Sequence, residues 1–322
     1  MERKLDLQKL LAPGALVVIY IFFCFAGNNF FSTTVLINIL DASYFIGFLA
    51  IGVTFAIITG GIDLSIGTIM MTSALMGGVA YNVWGFNIWI SLLFCVLTGA
   101  MFGLLNGILI AKGKIVPFVA TLGIQMVASG FGAIVSRVMT MRYPTVDSED
   151  GIFKLVLYKA RNGFPMGIIW LALFFSLAYI LLNFTRFGRY VYAIGSNEEA
   201  TRLSGVNVDK WKILVYVVVG TFAGMAGVMF AAAYTSIVPA TGAGMEILGI
   251  AAVVIGGTSL AGGVGTLTGT IIGVYIMAVL RQGLMSMGLQ PHYQTFFTGI
   301  VVIAAVMLDN YRTKKASRVK KL

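Results

Sequence analysis

The apolar residues of this chain come in runs of about 20, parted by short polar or glycine-rich breaks. A helix rising 1.5 Å per residue needs about that many residues to cross some 30 Å of hydrocarbon. Lipid is therefore the solvent for which most of this sequence is suited. Of its 322 residues, 59% are hydrophobic and 11% charged, where a soluble domain carries about 25% charged residues. An ordinary soluble enzyme is excluded. We expect an all-α integral membrane protein in one domain, residues 1–322, and read ten spans at 14–31, 44–60, 66–84, 88–111, 115–138, 166–184, 212–234, 246–260, 264–284 and 294–310. The first run follows Arg3, Lys4 and Lys9 but has no small-residue cleavage site, so it reads as an uncleaved helix.

The net charge of +10 suggests nucleic acid only at first sight, because the basic residues sit at the ends of apolar runs. With the N-terminus inside, 16 Lys and Arg fall on the cytoplasmic side and 6 outside, which predicts that both termini are cytoplasmic. Two polar segments interrupt the runs: residues 140–165, expected outside, and 185–212, expected inside. Cys24 and Cys95 lie within apolar runs and read as small hydrophobes. A single histidine, His292, with no HExxH or CxxC, gives no metal site.

Glycines supply the finer pattern. Gly99, Gly103 and Gly107 recur every fourth residue, as do Gly265, Gly269 and Gly273. Each series makes a smooth stripe on which another helix can pack closely. Gly256 to Thr270 lacks both GxGxxG spacing and a Gly-Lys-Ser/Thr, so phosphate binding is rejected there. Gly60-Gly61 and Gly256-Gly257 read instead as breaks between helical pieces, with Thr258 and Ser259 satisfying freed backbone groups at the second. The two breaks share a Gly-Gly-x-x-Leu core, an internal echo that a repeated half and chance in a glycine-rich sequence explain equally well.

Asp63 follows the first break. A carboxylate within lipid costs about 2.5–3.5 kcal/mol on insertion scales, so it needs partners or water. The simpler role is a helix cap by Asp63 or Ser65; the alternative is a place on a solute path. Asp41, Glu246, Arg137, Arg281 and Asp309 fall near span ends, leaving no acidic relay of the kind an ion-driven carrier uses. The spans carry neutral polar groups instead, among them Thr54, Asn106, Thr121 and Gln125. Such groups can bond a polyhydroxylated solute, or merely a neighbouring helix. We take Asn106, Gln125, Asp63 and Thr54 as path candidates.

The inner segment holds a short helix signal. Ser196 or Asn197 can cap it, Glu198 and Glu199 suit its positive end, and Gly205 provides the left-handed stop. Two turns are unstable alone in water, so this piece docks on its own bundle or on a partner.

Three ordered motifs now resemble a known family: Gly61-Ile-Asp-Leu-Ser-Ile-Gly67, Thr185-Arg-Phe-Gly-Arg-Tyr-Val-Tyr-Ala-Ile-Gly-Ser-Asn197 and Gly256-Gly-Thr-Ser-Leu-Ala-Gly-Gly263. They resemble the membrane permeases of bacterial monosaccharide ABC importers, the ribose permease family, over most of the chain. The resemblance implies a type II-like permease of the inner membrane, working as a homodimer or heterodimer with ATP-hydrolysing subunits inside and a sugar-binding protein outside. It implies that the chain binds no cofactor, ATP and Mg being held by the partner. It also makes Glu198 to Gly205 the coupling helix seated in the ATPase; Arg189, Glu198, Glu199, Arg202, Ser204 and Gly205 are the coupling candidates. The segment 140–165 departs from the family by its length and charge. Another polyol or furanose signal molecule is an alternative cargo. An ion-coupled carrier or an intramembrane enzyme is a different class, and the acids, metal ligands and Ser/His pairs those need are nearly absent.

Overall fold

The computed structural model describes residues 7–319. Its helices are α1 (Leu7–Ala26), α2 (Thr33–Ile58), α3 (Ile66–Asn82), α4 (Ile88–Ala111), α5 (Pro117–Val135), α6 (Ile152–Leu157), α7 (Gly167–Phe184), α8 (Arg186–Ser196), α9 (Glu198–Leu203), α10 (Val208–Ala233), α11 (Met245–Ile255), α12 (Leu267–Ser286) and α13 (Pro291–Val319). Each of the ten predicted spans overlaps one of them. Six helices, α2, α4, α5, α7, α10 and α12, are long and apolar enough to cross a membrane. α11, with 11 residues, is only about 16 Å long, shorter than the hydrocarbon core, so residues 246–260 make a half-span followed by an irregular link. Of the basic residues that set the predicted orientation, Arg3, Lys4, Lys320 and Lys321 lie outside the described residues.

The glycine stripe of α4 lies against α10, and α10 answers with glycines of its own. A Cβ on Gly103 would stand 2.9 Å from Gly220 Cα, and one on Gly99 2.7 Å from Gly224 Cα. From the other side, a Cβ on Gly220 would stand 2.7 Å from Gly103 Cα. Backbone therefore meets backbone along the seam. Nothing but hydrogen fits there, which is how close packing replaces the missing hydrophobic drive in lipid. α12 uses its stripe in the same way: Gly269 faces Gly256, and Gly273 faces the Ala252 carbonyl of α11. α2 runs through the centre, with Ile46, Ile51, Phe55 and Ile58 fully buried.

Both cysteines are free. The segment after α5 is more ordered than its polarity suggested. Met141–Arg142 pair antiparallel with Ser236–Ile237, joining this segment to the chain beyond α10. α6 then turns Lys154 inward, where its ammonium donates to the Ala231 and Ala232 carbonyls at the end of α10, at 3.4 and 3.3 Å. A cation at a helix C-terminus complements the dipole, so Lys154, counted among the charges of the outer side, is a buried cap on α10. Lys159 adds an ion pair to Asp41 of α2 at 3.1 Å.

Two expectations follow. Gly103→Leu should destabilise the fold by about 1–3 kcal/mol or more through overpacking, read as a lower unfolding midpoint in detergent, whereas Gly130→Ala, in open space, should leave it unchanged. Burial pushes the Lys154 ammonium down to about 8 from an ordinary 10.5. Above about pH 8 the unfolded chain then binds a proton that the folded chain has released, so stability should rise toward pH 10. The unfolding midpoint of the wild type, relative to Lys154→Met, should climb over that window; a flat difference would contradict the assignment.

Candidate functional site

α2 ends at Ile58 because Gly60 takes a left-handed turn, φ +80°, at little steric cost for glycine. The chain then runs as an irregular strap to Ile66, where α3 begins. Such a strap exposes backbone groups that lipid cannot satisfy, and its neighbours supply the partners. The Leu64 N–H donates to Thr121 Oγ1 of α5 at 3.2 Å. Asp63 Oδ1 accepts from the Ser65 N–H at 2.8 Å and from the Ser65 hydroxyl at 2.5 Å. Asn106 of α4 donates through Nδ2 to Asp63 Oδ2 at 3.2 Å and to Ser65 Oγ at 2.8 Å.

Asp63, Ser65 and Asn106 are all 0% exposed. They form one closed network at the start of α3. The expected side-chain cap is not formed, since the first N–H groups of α3 take no side-chain bond; Asp63 instead closes a turn onto Ser65 just ahead of the helix while bonding a residue from another helix.

A second carboxylate stands beside them. Glu246, expected near a span end, is buried at the start of α11, where both of its oxygens accept from the Gly244 N–H at 2.9 and 3.0 Å. The Cβ that Gly67 lacks would lie 2.6 Å from Glu246 Oε2, so the first turns of α3 and α11 touch at this point. No ion pair to Asp63 or Glu246 is formed among the described residues. Their negative charge is held instead by N–H and amide donors and by the positive ends of two helices. Two buried polar atoms here have no hydrogen-bond partner among the described residues: Asn106 Oδ1 and the hydroxyl of Tyr216, the latter packed on Gly61.

The remaining path candidates lie apart. Thr54 is buried between α2 and α12, its hydroxyl 2.9 Å from that of Thr270 and donating to the Ala50 carbonyl at 2.7 Å; it joins two helices. Gln125 sits half-buried on α5 and takes no part in the Asp63 network. Glu246 and Tyr216 are the residues that sequence reasoning missed. The available signal was the glycine pair Gly242 and Gly244, with φ of +104° and +93°, just ahead of a helix start.

The coupling segment lies at the end of the bundle where α4 ends and α10 begins. Asn197 caps α9, accepting from the Ala200 N–H at 2.9 Å, and Gly205 closes it at φ +81°. An ion network then holds α9 in place. Glu198 pairs with Lys212 at 2.5 Å and Arg202 at 3.4 Å, and Asp209 pairs with Arg202 at 2.8 Å and with Lys114 of the α4–α5 turn at 3.0 Å. Partial burial raises the Glu198 carboxyl, but Lys212 and Arg202 outweigh it and hold it below its ordinary range. Hydrogen bonds from Arg202 and Lys114 hold Asp209 low as well.

Of the coupling candidates, Glu198 and Arg202 are therefore engaged within the chain. Arg189, Glu199 and Ser204 face outward, and beside them Leu203 is 84% exposed. α9 is thus pinned on one side and exposed on the other.

The family described as "Branched-chain amino acid transport system / permease component" matches residues 35–306. The ribose import permease protein RbsC of Escherichia coli strain K12 is 37% identical over 304 residues, 92% of each chain. RbsC of Bacillus subtilis is 36% identical over 95% of this chain and 94% of its own. The fructose import permease FrcC of Rhizobium meliloti is 34% identical over 90% of this chain and 82% of its own. A solved chain described as a metal-chelate type ABC transporter in an inward-facing conformation shares the fold, with a TM-score of 0.51 at 18% identity, over 94% of this chain and 97% of that one.

Removing the Asn106 amide leaves Asp63 Oδ2 without a donor. Asn106→Leu should therefore lower stability by about 1–3 kcal/mol, read as the unfolding midpoint. Asp63→Asn combined with it should lower stability by less than the sum of the two single changes, since both act on one network. Additive losses would show that the two side chains act independently.

Proposed function

The chain belongs to the branched-chain amino acid transport system permease component family, and from that premise we propose that it is the membrane subunit of an ATP-driven importer of a ribose-like monosaccharide. Its relatives are permease components, not enzymes, and ATP with Mg would be held by a separate ATPase subunit. A binding protein would deliver the sugar at the end formed by residues 140–165; both termini and α9 would lie in the cytoplasm. A second permease chain, the same or related, would complete the path across the bilayer. The whole chain would act as one permease domain.

The observation that carries this reading is α9, fixed by the network through Lys212, Asp209 and Lys114 and presenting Glu199 and Leu203 outward. A pinned helix transmits displacement to the bundle; a loose one would absorb it. Arg189, Glu198, Glu199, Arg202, Ser204 and Gly205 would be the coupling residues, with Gly205 acting through its turn. Asp63 and Asn106 would border the path, with Gln125 and Thr54 as further positions on it. Neutral hydroxyl and amide groups suit a sugar that needs only low affinity inside the membrane. Relatives named as ribose, fructose and xylose permeases support a sugar, and the stronger identity to the ribose permeases supports ribose among them.

The test is reconstitution in liposomes with the cognate ATPase and binding protein. Radiolabelled ribose should accumulate only with ATP, and more than fructose, xylose or leucine. Accumulation driven by an ion gradient without the ATPase would overturn the transport class; preference for leucine or another sugar would overturn the cargo. Glu199→Arg with Leu203→Arg should release the ATPase on gel filtration while the chain stays inserted.

A further inference from the structure

The two glycine breaks and the root of α9 meet at one point. Gly195, two residues before the α9 cap Asn197, packs without side chains on the Ile58 carbonyl at the end of α2, and a Cβ there would stand 2.6 Å from the Gly263 nitrogen. The Gly263 N–H donates to that same Ile58 carbonyl at 2.8 Å. A Cβ on Gly262 would stand 2.9 Å from both the Gly195 oxygen and the Gly60 nitrogen. Tyr192 of α8 adds a bond from its hydroxyl to the Gly265 carbonyl at 2.8 Å. Three backbones, from α2, α8 and the α11–α12 link, are thus in direct contact, with Gly60, Gly262 and Gly263 all at positive φ.

Each branch of this junction leads to the buried acids. Five residues beyond Ile58 is Asp63, bonded to Ser65 and Asn106. The link leads back through Gly256, packed on Gly269, into α11, whose first turn holds Glu246. A side chain inserted at the centre would act as a compliant spacer; close-packed backbone does not yield in that way.

We propose that Gly195, Gly262 and Gly263 are positioning residues of the transport cycle, a rigid junction through which displacement of α9 moves the starts of α3 and α11 together. This rests on the importer reading, so the wild type must first show ATP-dependent ribose uptake in liposomes; its absence would count against that reading and not against the junction. Given that uptake, Gly195→Ala and Gly263→Ala should cut [14C]ribose uptake and the binding-protein stimulation of ATP hydrolysis about tenfold or more. Basal hydrolysis and co-purification of the ATPase should persist. Full stimulation in both variants would overturn the junction.

Should those variants fail to fold, electron spin distance measurements on chains with the native junction decide the matter. With Cys24 and Cys95 replaced by alanine, one chain is labelled at Arg186 and Val264, and another at Val264 and Met126 on α5. The Arg186–Val264 distance should be the same in the nucleotide-free and ATP-trapped complexes, while Val264–Met126 changes. A shift in the first distance, or none in the second, would overturn the proposal.

Discussion

Close approach of helix backbones is the interaction on which this molecule rests. In lipid, burying a leucine gains little, so association depends on how near two helices can come. The reciprocal glycines of α4 and α10 let backbone meet backbone along their contact line, and α11 and α12 repeat the device. Once α4 is held on α10, Asn106 stands within reach of the strap after α2. The polar site is therefore a consequence of the glycine seam.

The site shows how charge is kept inside such a bundle. Asp63 and Glu246 have no cationic partner among the described residues. Each is placed at the start of a helix, where free N–H groups and the dipole favour an anion, and the two helix starts touch at Gly67. Lys154 is the mirror case, an ammonium placed on the carbonyl end of α10. In both cases the backbone supplies the counter-charge, so the fold needs few ion pairs within its apolar body.

Four of the five ion pairs among the described residues belong to the network around α9. Its network ties a two-turn helix to α10 and to the α4–α5 turn, while its other face stays bare. Stiffness at α9 and at the glycine junction belong together. A pinned helix transmits motion only if what lies behind it is equally unyielding.

Much of this could be read from the chain alone. The apolar runs located every spanning helix, because crossing hydrocarbon sets a length that periodicity and composition reveal. Asn197, Glu198 and Gly205 announced α9, since capping is chemistry local to a few residues. The stripes at Gly99 and Gly265 told of close packing without saying with what. Only the tertiary structure decided that α4 chooses α10, that Glu246 lies buried beside Asp63, that Lys154 turns inward, that Thr54 bonds Thr270 and that α11 is a half-span. Apart from the half-span, these facts join residues 77 to 216 positions apart, where no local periodicity reaches. Local pattern determines which segments are helices and where they stop; which buried polar groups meet depends on how those helices are arranged in three dimensions.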